Sequence, residues 1–271
     1  MIENDIQARL LAAYDEQLRT DAEASGAINV AVHGPLLLVT FAGGNGFVTY
    51  RDLGGADVDA VRQLVAAAIE YYRADPGVTR VEWKTRGHDR APGLPEALQE
   101  NGFVPDPAES IMIGQAELLS RPVALPDGVT LRQVTDEADV RAMCAMQAEV
   151  FGDPTSDHIA GALLRRLSLD DGMELWIAEA DGRIVSAGRL EPVQGTTFAG
   201  IWGGATRPAW RGRGIYRALT ARRAQSALSM GKTFIHSDST EFSRPILGRS
   251  GLVKVSTTTP YRWVRQTPPG A

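Results

Sequence analysis

The chain is poor in cysteine. Cys144 is the only one among 271 residues, which excludes a disulfide within the chain. No apolar run approaches the ~20 residues that cross a bilayer as a helix. The first residues, Met1 to Asp5, have neither the basic segment nor the apolar stretch of a secretory leader. These absences together predict a cytoplasmic protein. A long stripe of basic charge is also missing. Lys and Arg number 28 against 33 Asp and Glu, a formal net charge of −5, which argues against broad nucleic-acid binding. The pairs Arg165-Arg166 and Arg222-Arg223 read as solvated helix faces. Cys144 falls in a helical run and reads as a packed thiol rather than a nucleophile. Hydrophobic content of 44% and charged content of 23% are those of a globular protein, and the length allows one large or two ordinary domains. No metal site is expected.

Two common nucleotide-binding patterns are absent as well: no G-x-G-x-x-G after an early strand and no G-x-x-x-x-G-K-[ST]. What is present is Arg211-Gly212-Arg213-Gly214-Ile215-Tyr216. An apolar strand-like run at 198–206 precedes it and a helical run at 215–230 follows. A loop opening a helix in this way turns several backbone N–H groups toward one point, and the positive end of the helix dipole reinforces them. Gly212 and Gly214 permit close backbone approach, and Arg211 and Arg213 add cationic character at the rim. The fitting ligand is a phosphate or diphosphate.

This loop, preceded by Pro208 and Trp210, resembles the pyrophosphate loop of the GNAT superfamily of N-acetyltransferases. The resemblance runs over residues 129–264, about half of the chain. It takes in a first strand at 129–132, helices at 137–151 and 156–169, and a hairpin of 174–180 and 183–190 joined by Asp181-Gly182. Strands at 198–206 and 233–237 follow, then a short helix ending at Gly251 and a last strand at 253–263. It implies an α/β (α+β) fold whose sheet is mixed, mostly antiparallel and twisted, with helices flanking it. It further implies acetyl-CoA as cofactor, with Gly204, Ala205 and Thr206 along the pantetheine arm. Arg211, Gly212, Arg213, Gly214, Ile215 and Tyr216 would lie at the diphosphate, and Ser243 against the cofactor. Tyr216 stands where the family has Gly or Ala. It either lines the pantetheine path or packs the helix start.

Acetyl transfer needs an oxyanion donor and a deprotonated amine besides a held cofactor. The paired glycines of Trp202-Gly203-Gly204 suggest a bulge or close backbone approach, and the resemblance would turn an N–H there toward the thioester oxygen. Glu191, His236, Asp238 and Glu241 are candidate bases near the presumed cleft, with Glu191 or Asp238 preferred. The family's tyrosine general acid is replaced here by Leu247. Ser243, Ser239 and Tyr261 are possible substitutes, although a thiol of pKa ~8.5 leaves without much protonation.

The first half resembles a worn copy of the second. The helix-glycine-strand ending around Gly102-Phe103 parallels that around Gly251-Leu252, and a strand at 78–84 and a helix at 57–73 precede it in matching order. Tyr50-Arg51-Asp52-Leu53-Gly54-Gly55-Ala56-Asp57 replaces the phosphate loop. There Asp52 and Asp57 would repel a diphosphate, and Asp57 reads as a helix N-cap. The expected organisation is a degenerate GNAT-like domain at 1–120, a linker at 121–128, the acetyltransferase domain at 129–265 and a disordered tail at 266–271. The expected function is acetyl-CoA-dependent transfer to a small-molecule or peptide amine by a monomer or homodimer. The alternative is a silent acyl-CoA-binding sensor or scaffold. A ligase using charged tRNA fits the acidic charge poorly.

Overall fold

The computed structural model describes residues 2–152 and 156–266; of the expected tail, residues 267–271 lie outside them. In chain order the elements are α1 (Ile2–Gln17), β1 (Asn29–His33), β2 (Leu36–Phe41), β3 (Asn45–Thr49), α2 (Val58–Ala74), β4 (Arg80–Arg86), α3 (Leu94–Glu100), β5 (Val104–Pro105), β6 (Glu109–Gln115) and α4 (Ala116–Leu119). There follow β7 (Val129–Val134), α5 (Glu137–Phe151), α6 (Ser156–Leu167), β8 (Glu174–Ala180), β9 (Arg183–Pro192), β10 (Phe198–Thr206), α7 (Ile215–Ser229), β11 (Phe234–Ser239), α8 (Arg244–Arg249) and β12 (Val253–Val264). The fold class is the expected one, a mixed, mostly antiparallel sheet with flanking helices. Among the described residues no helix is long and apolar enough to cross a membrane.

Contacts divide the chain into two compact units, but not into consecutive halves. The first joins the residues up to Ile111 with those from Val255 onward, and the second is Met112–Lys254. Burial explains the division. Tyr261 and Trp263 of β12 lie in the core of the first unit beside Trp83 and Phe103. Met112 of β6 and Ala116 of α4 lie in a core of the second unit with Leu190, Ile201 and Ile235. β12 thus packs in the core of the first unit, and the end of β6 in a core of the second.

In the first unit the strand order is β1-β2-β3-β4-β12, with β5 also on β12. β3 and β4 are parallel and stay paired from Asn45↔Arg80 to Val48↔Trp83. The crossover between them is α2, whose Val61, Val65, Ala68, Ile69 and Tyr72 are buried, the spacing of one helical face. Asp57 caps this helix, its side chain accepting from Ala60 N–H.

The second unit orders its strands β6-β11-β10-β9-β8-β7. Asp181 (φ 49) and Gly182 (φ 70) make the tight turn between β8 and β9, both in the left-handed region that such hairpins require. The sheet buries both faces. Met143, Cys144 and Met146 of α5 pack with Ala187 and Ala205, so Cys144 is the packed thiol its helical setting predicts. On the other face Ala224 and Ala227 of α7 pack with Leu190, Ala199 and Ile201. Each fully buried apolar side chain of medium or large size contributes roughly 1.5–3 kcal/mol.

Candidate functional site

The Gly-Arg loop leaves β10 at Thr206, makes a single 3-10 turn at Pro208–Trp210 and enters α7 at Ile215. Gly212 (φ 75) and Gly214 (φ 81) are both in the left-handed region, which any residue with a Cβ resists. Gly214 is the N-cap, and no side chain caps the helix. The first backbone bond at this end runs from Ala218 N–H to Gly214 O. Among the described residues no protein acceptor meets the N–H groups of Gly212, Arg213, Gly214, Ile215, Tyr216 or Arg217. Six orphan donors at one helix start are the physical requirement for an anion site. The arginines frame it: Arg211 donates from Nε to Thr206 O at 3.0 Å, and the Arg213 guanidinium lies 4.9 Å from the Trp210 ring centroid.

The corresponding segment of the first unit differs in having carboxylates on some of its donors. Asp52 accepts from Gly54 N–H at 2.8 Å and Asp57 from Ala60 N–H at 2.9 Å, while Ala56 N–H reaches Leu53 O. Two carboxylates thus each take one donor at this helix start and add negative charge where an anion would sit.

Next to the intact loop, β10 parts from its neighbours. Its parallel pairing with β11 stops at Gly200↔His236, although β10 runs on to Thr206 and β11 to Ser239. Its antiparallel pairing with β9 breaks between Trp202 and Ala205, where Gly203 adopts φ 61. This is the bulge that the glycine pair predicts. Gln147 of α5 holds it, donating from Nε2 to Gly203 O at 2.6 Å. Ser186 Oγ donates to Ala205 O at 2.7 Å and lies 2.7 Å from Thr206 Oγ1. The Tyr216 ring lies over Gly204, where a Cβ would come within 2.6 Å of Cε2, so this side chain packs against the bulge.

The candidate bases separate by environment. Glu191 receives Arg166 on Oε2 at 2.9 Å and Arg189 on Oε1 at 2.5 Å. Burial raises its pKa, but the two guanidiniums outweigh burial and hold it below the usual carboxylate value. A carboxylate so paired is a weak proton acceptor, and its position suits structural work. Glu241 is exposed and paired with Arg244. The His236 ring meets Trp202 edge-on at 5.2 Å and Phe198 at 6.0 Å, the setting of a packed core group. Asp238 is half-buried on β11, two residues past the last paired position.

Of the substitute proton donors, Ser239 is buried, and Ser243 begins α8 with its hydroxyl 3.3 Å from Thr240 O. Tyr261 is not brought to this loop and bulge. It lies in the core of the first unit, opposite Trp83 and Pro105, because β12 closes that unit. Leu247 is 1% exposed within an apolar core. The linker residues Val123 and Ala124 run beside Gly214, with Ala124 O 3.6 Å from the place of a Cβ there. No motif marks Gln147 or Arg189 beside the bulge, and Arg223, expected on a solvated helix face, is instead 1% exposed.

Residues 140–244 match the family model described as Acetyltransferase (GNAT) family. No curated protein matches the chain. Several solved structures share the fold along nearly its whole length. A GCN5-related N-acetyltransferase from Kribbella flavida superposes with TM-score 0.64 at 16% identity, covering 100% of this chain and 96% of its own. A GCN5-related N-acetyltransferase from Sphaerobacter thermophilus gives 0.61 at 18% identity, with 95% and 91% covered. A tandem GNAT protein from the clavulanic acid biosynthesis pathway gives 0.61 at 13% identity, with 96% of each chain covered.

Proposed function

From the GNAT-superfamily acetyltransferase fold that this chain adopts, we propose that it is an acetyl-CoA-dependent N-acetyltransferase. The second unit works and the first is a degenerate copy. The observation that carries the reading is the row of uncapped amides from Gly212 to Arg217 beside a strand that has parted from β11. Acetyl-CoA, when bound, supplies the thioester that an amine attacks directly. The chain's own residues do the rest. The amides of 212–217 and the flanking Arg211 and Arg213 bind the diphosphate. The unpaired edge of Ala205 and Thr206 aligns the pantetheine arm. The Gly203 bulge, fixed by Gln147, directs backbone donors to the carbonyl oxygen. Loss of one such donor typically costs ~3 kcal/mol of transition-state stabilisation. Asp238 is the carboxylate assigned to accept the amine proton.

The domain partition belongs to the same reading: a degenerate copy at 1–120 and a catalytic copy at 129–265, each lending its last strand to the other's compact unit. One observation favours a second reading, a silent acyl-CoA-binding protein. Leu247, at the place of the family's tyrosine acid, is buried and has no proton to give. Release of free thiol from acetyl-CoA with a panel of small-molecule and peptide amines tests turnover. Release that Asp238→Asn abolishes at neutral pH and partly restores at high pH supports the transferase. Coenzyme A binding with no release across the panel selects the silent reading.

A further inference from the structure

Arg223 lies on α7, and its guanidinium is buried, the residue being 1% exposed. Among the described residues no carboxylate pairs with it. Its hydrogen-bond partners are Leu219 O at 3.2 Å, Arg189 O at 3.1 Å and Thr220 Oγ1 at 3.4 Å, and the Tyr216 phenol is near enough for the charge to act on it. Buried cations normally have an acid partner, because desolvation otherwise goes uncompensated. The other buried arginines among the described residues illustrate the rule: Arg19 is paired with Asp15 and Asp89, and Arg86 with Glu23.

The sheet makes room for this unpaired charge. A Cβ at Gly188 of β9 would stand 2.6 Å from Arg223 Nη1, and one at Gly204 of β10 would stand 3.0 Å from the Tyr216 hydroxyl. Pairing resumes past the bulge at Ala205↔Ala187, and one step back in that register Gly204 falls opposite Gly188. Two cross-strand glycines therefore form a trough at the bulge. The phenol fills one half and the guanidinium the other.

We infer that Tyr216, held and polarised by Arg223, donates a hydrogen bond to the sulfur that leaves during acyl transfer, replacing the proton donor that Leu247 cannot be. The inference rests on the proposed acetyl-CoA function. In the step concerned the amine nitrogen bonds to the carbonyl carbon, the carbon–sulfur bond breaks and its electron pair stays on sulfur. The proton lost by the amine goes to the base, and Tyr216 keeps its own. Burial raises the Tyr216 pKa, and Arg223 offsets this only in part. The phenol therefore remains a donor throughout the working pH range. Arg223 is a positioning residue, acting through Tyr216 and through its charge.

The test is the pKa of the coenzyme A thiol in its complex, read from the ultraviolet absorbance of the thiolate. Free thiols titrate near ~8.5. The wild-type complex is expected to titrate about one unit lower, a tenfold gain in thiolate fraction. Tyr216→Phe and Arg223→Met are each expected to return it to the free value while coenzyme A affinity at low pH changes less than about threefold. Arg223→Met is expected to melt at or above the wild-type temperature, since replacing a buried ion by an apolar isostere is often neutral or stabilising. Arg223→Lys, which keeps the charge, retains part of the depression. An undepressed thiol in the wild-type complex, or an unchanged depression in Tyr216→Phe, overturns the inference. Absence of coenzyme A binding to the wild type is a separate failure, that of the proposed function itself.

Discussion

Replacing Gly214 by valine tests the proposed diphosphate site. Gly214 has φ 81, where an L side chain costs ~1–2 kcal/mol and a β-branched one more. Space is not the obstacle: a Cβ there would meet Ala124 O at 3.6 Å and Val123 Cγ1 at 3.7 Å, both ordinary contacts. The strain is relieved by rotating the backbone, which turns the N–H groups at the start of α7 away from their common focus. Hydrogen bonds to a charged group contribute ~1.5–3 kcal/mol each. Losing one or two weakens coenzyme A by at least tenfold, at about 1.4 kcal/mol per factor of ten. Calorimetric titration of the variant with coenzyme A and with pantetheine, which has no diphosphate, reads the effect. The expected result is a tenfold or greater loss for coenzyme A and none for pantetheine. Equal affinity of variant and wild type for coenzyme A, or an equal loss for both ligands, refutes the reasoning.

Three further outcomes follow from the geometry. Glu191→Gln leaves Arg166 and Arg189, each about 30% exposed, without their shared carboxylate and should cost ~1–3 kcal/mol, between an exposed and a buried pair, in denaturant titration at neutral pH. Because the folded pKa of Glu191 is depressed, its contribution is present above the unfolded value of ~4.3 and is lost as pH falls through the folded one. The variant's stability should therefore fall less than the wild type's over that acid range. Asp57→Ala removes the α2 cap and should lower stability by about 1 kcal/mol without altering coenzyme A affinity; a change in that affinity would contradict a silent first copy. Burial raises the Cys144 pKa, and Arg189 and Arg141 only partly oppose it. A thiol reagent should therefore label native protein far more slowly than denatured protein at pH 8, and equal rates would show that α5 does not bury it.

Local chemistry is what the sequence discloses. The Asp181-Gly182 turn, the Asp57 cap and the left-handed Gly212 and Gly214 all depend on a few adjacent residues, and each is visible in the letters. The bulge is signalled by Gly203-Gly204, but its consequences are not. Gln147, Arg189 and Arg223 reach it from three different elements, and their distance in sequence hides them. Glu191 shows the same limit from the other side. As a residue after a strand it reads as a candidate base, and only the fold reveals Arg166 and Arg189 on its two oxygens. The exchange of closing strands is the least legible feature. β6 is buried at five successive positions and β12 at scattered ones, and such a pattern says that a strand is covered without saying in which core. Tyr261 lies in the core of the first unit for that reason.

The central claim is that free amides at the start of α7 grip a diphosphate, whereas the start of α2 carries Asp52 and Asp57, which take the Gly54 and Ala60 amides and repel an anion. Residue-resolved amide hydrogen exchange, with and without coenzyme A, measures this directly. The account predicts new protection at residues 212–217 and unchanged exchange at residues 54–60. Unaltered exchange at 212–217, or matching protection at both helix starts, would contradict it.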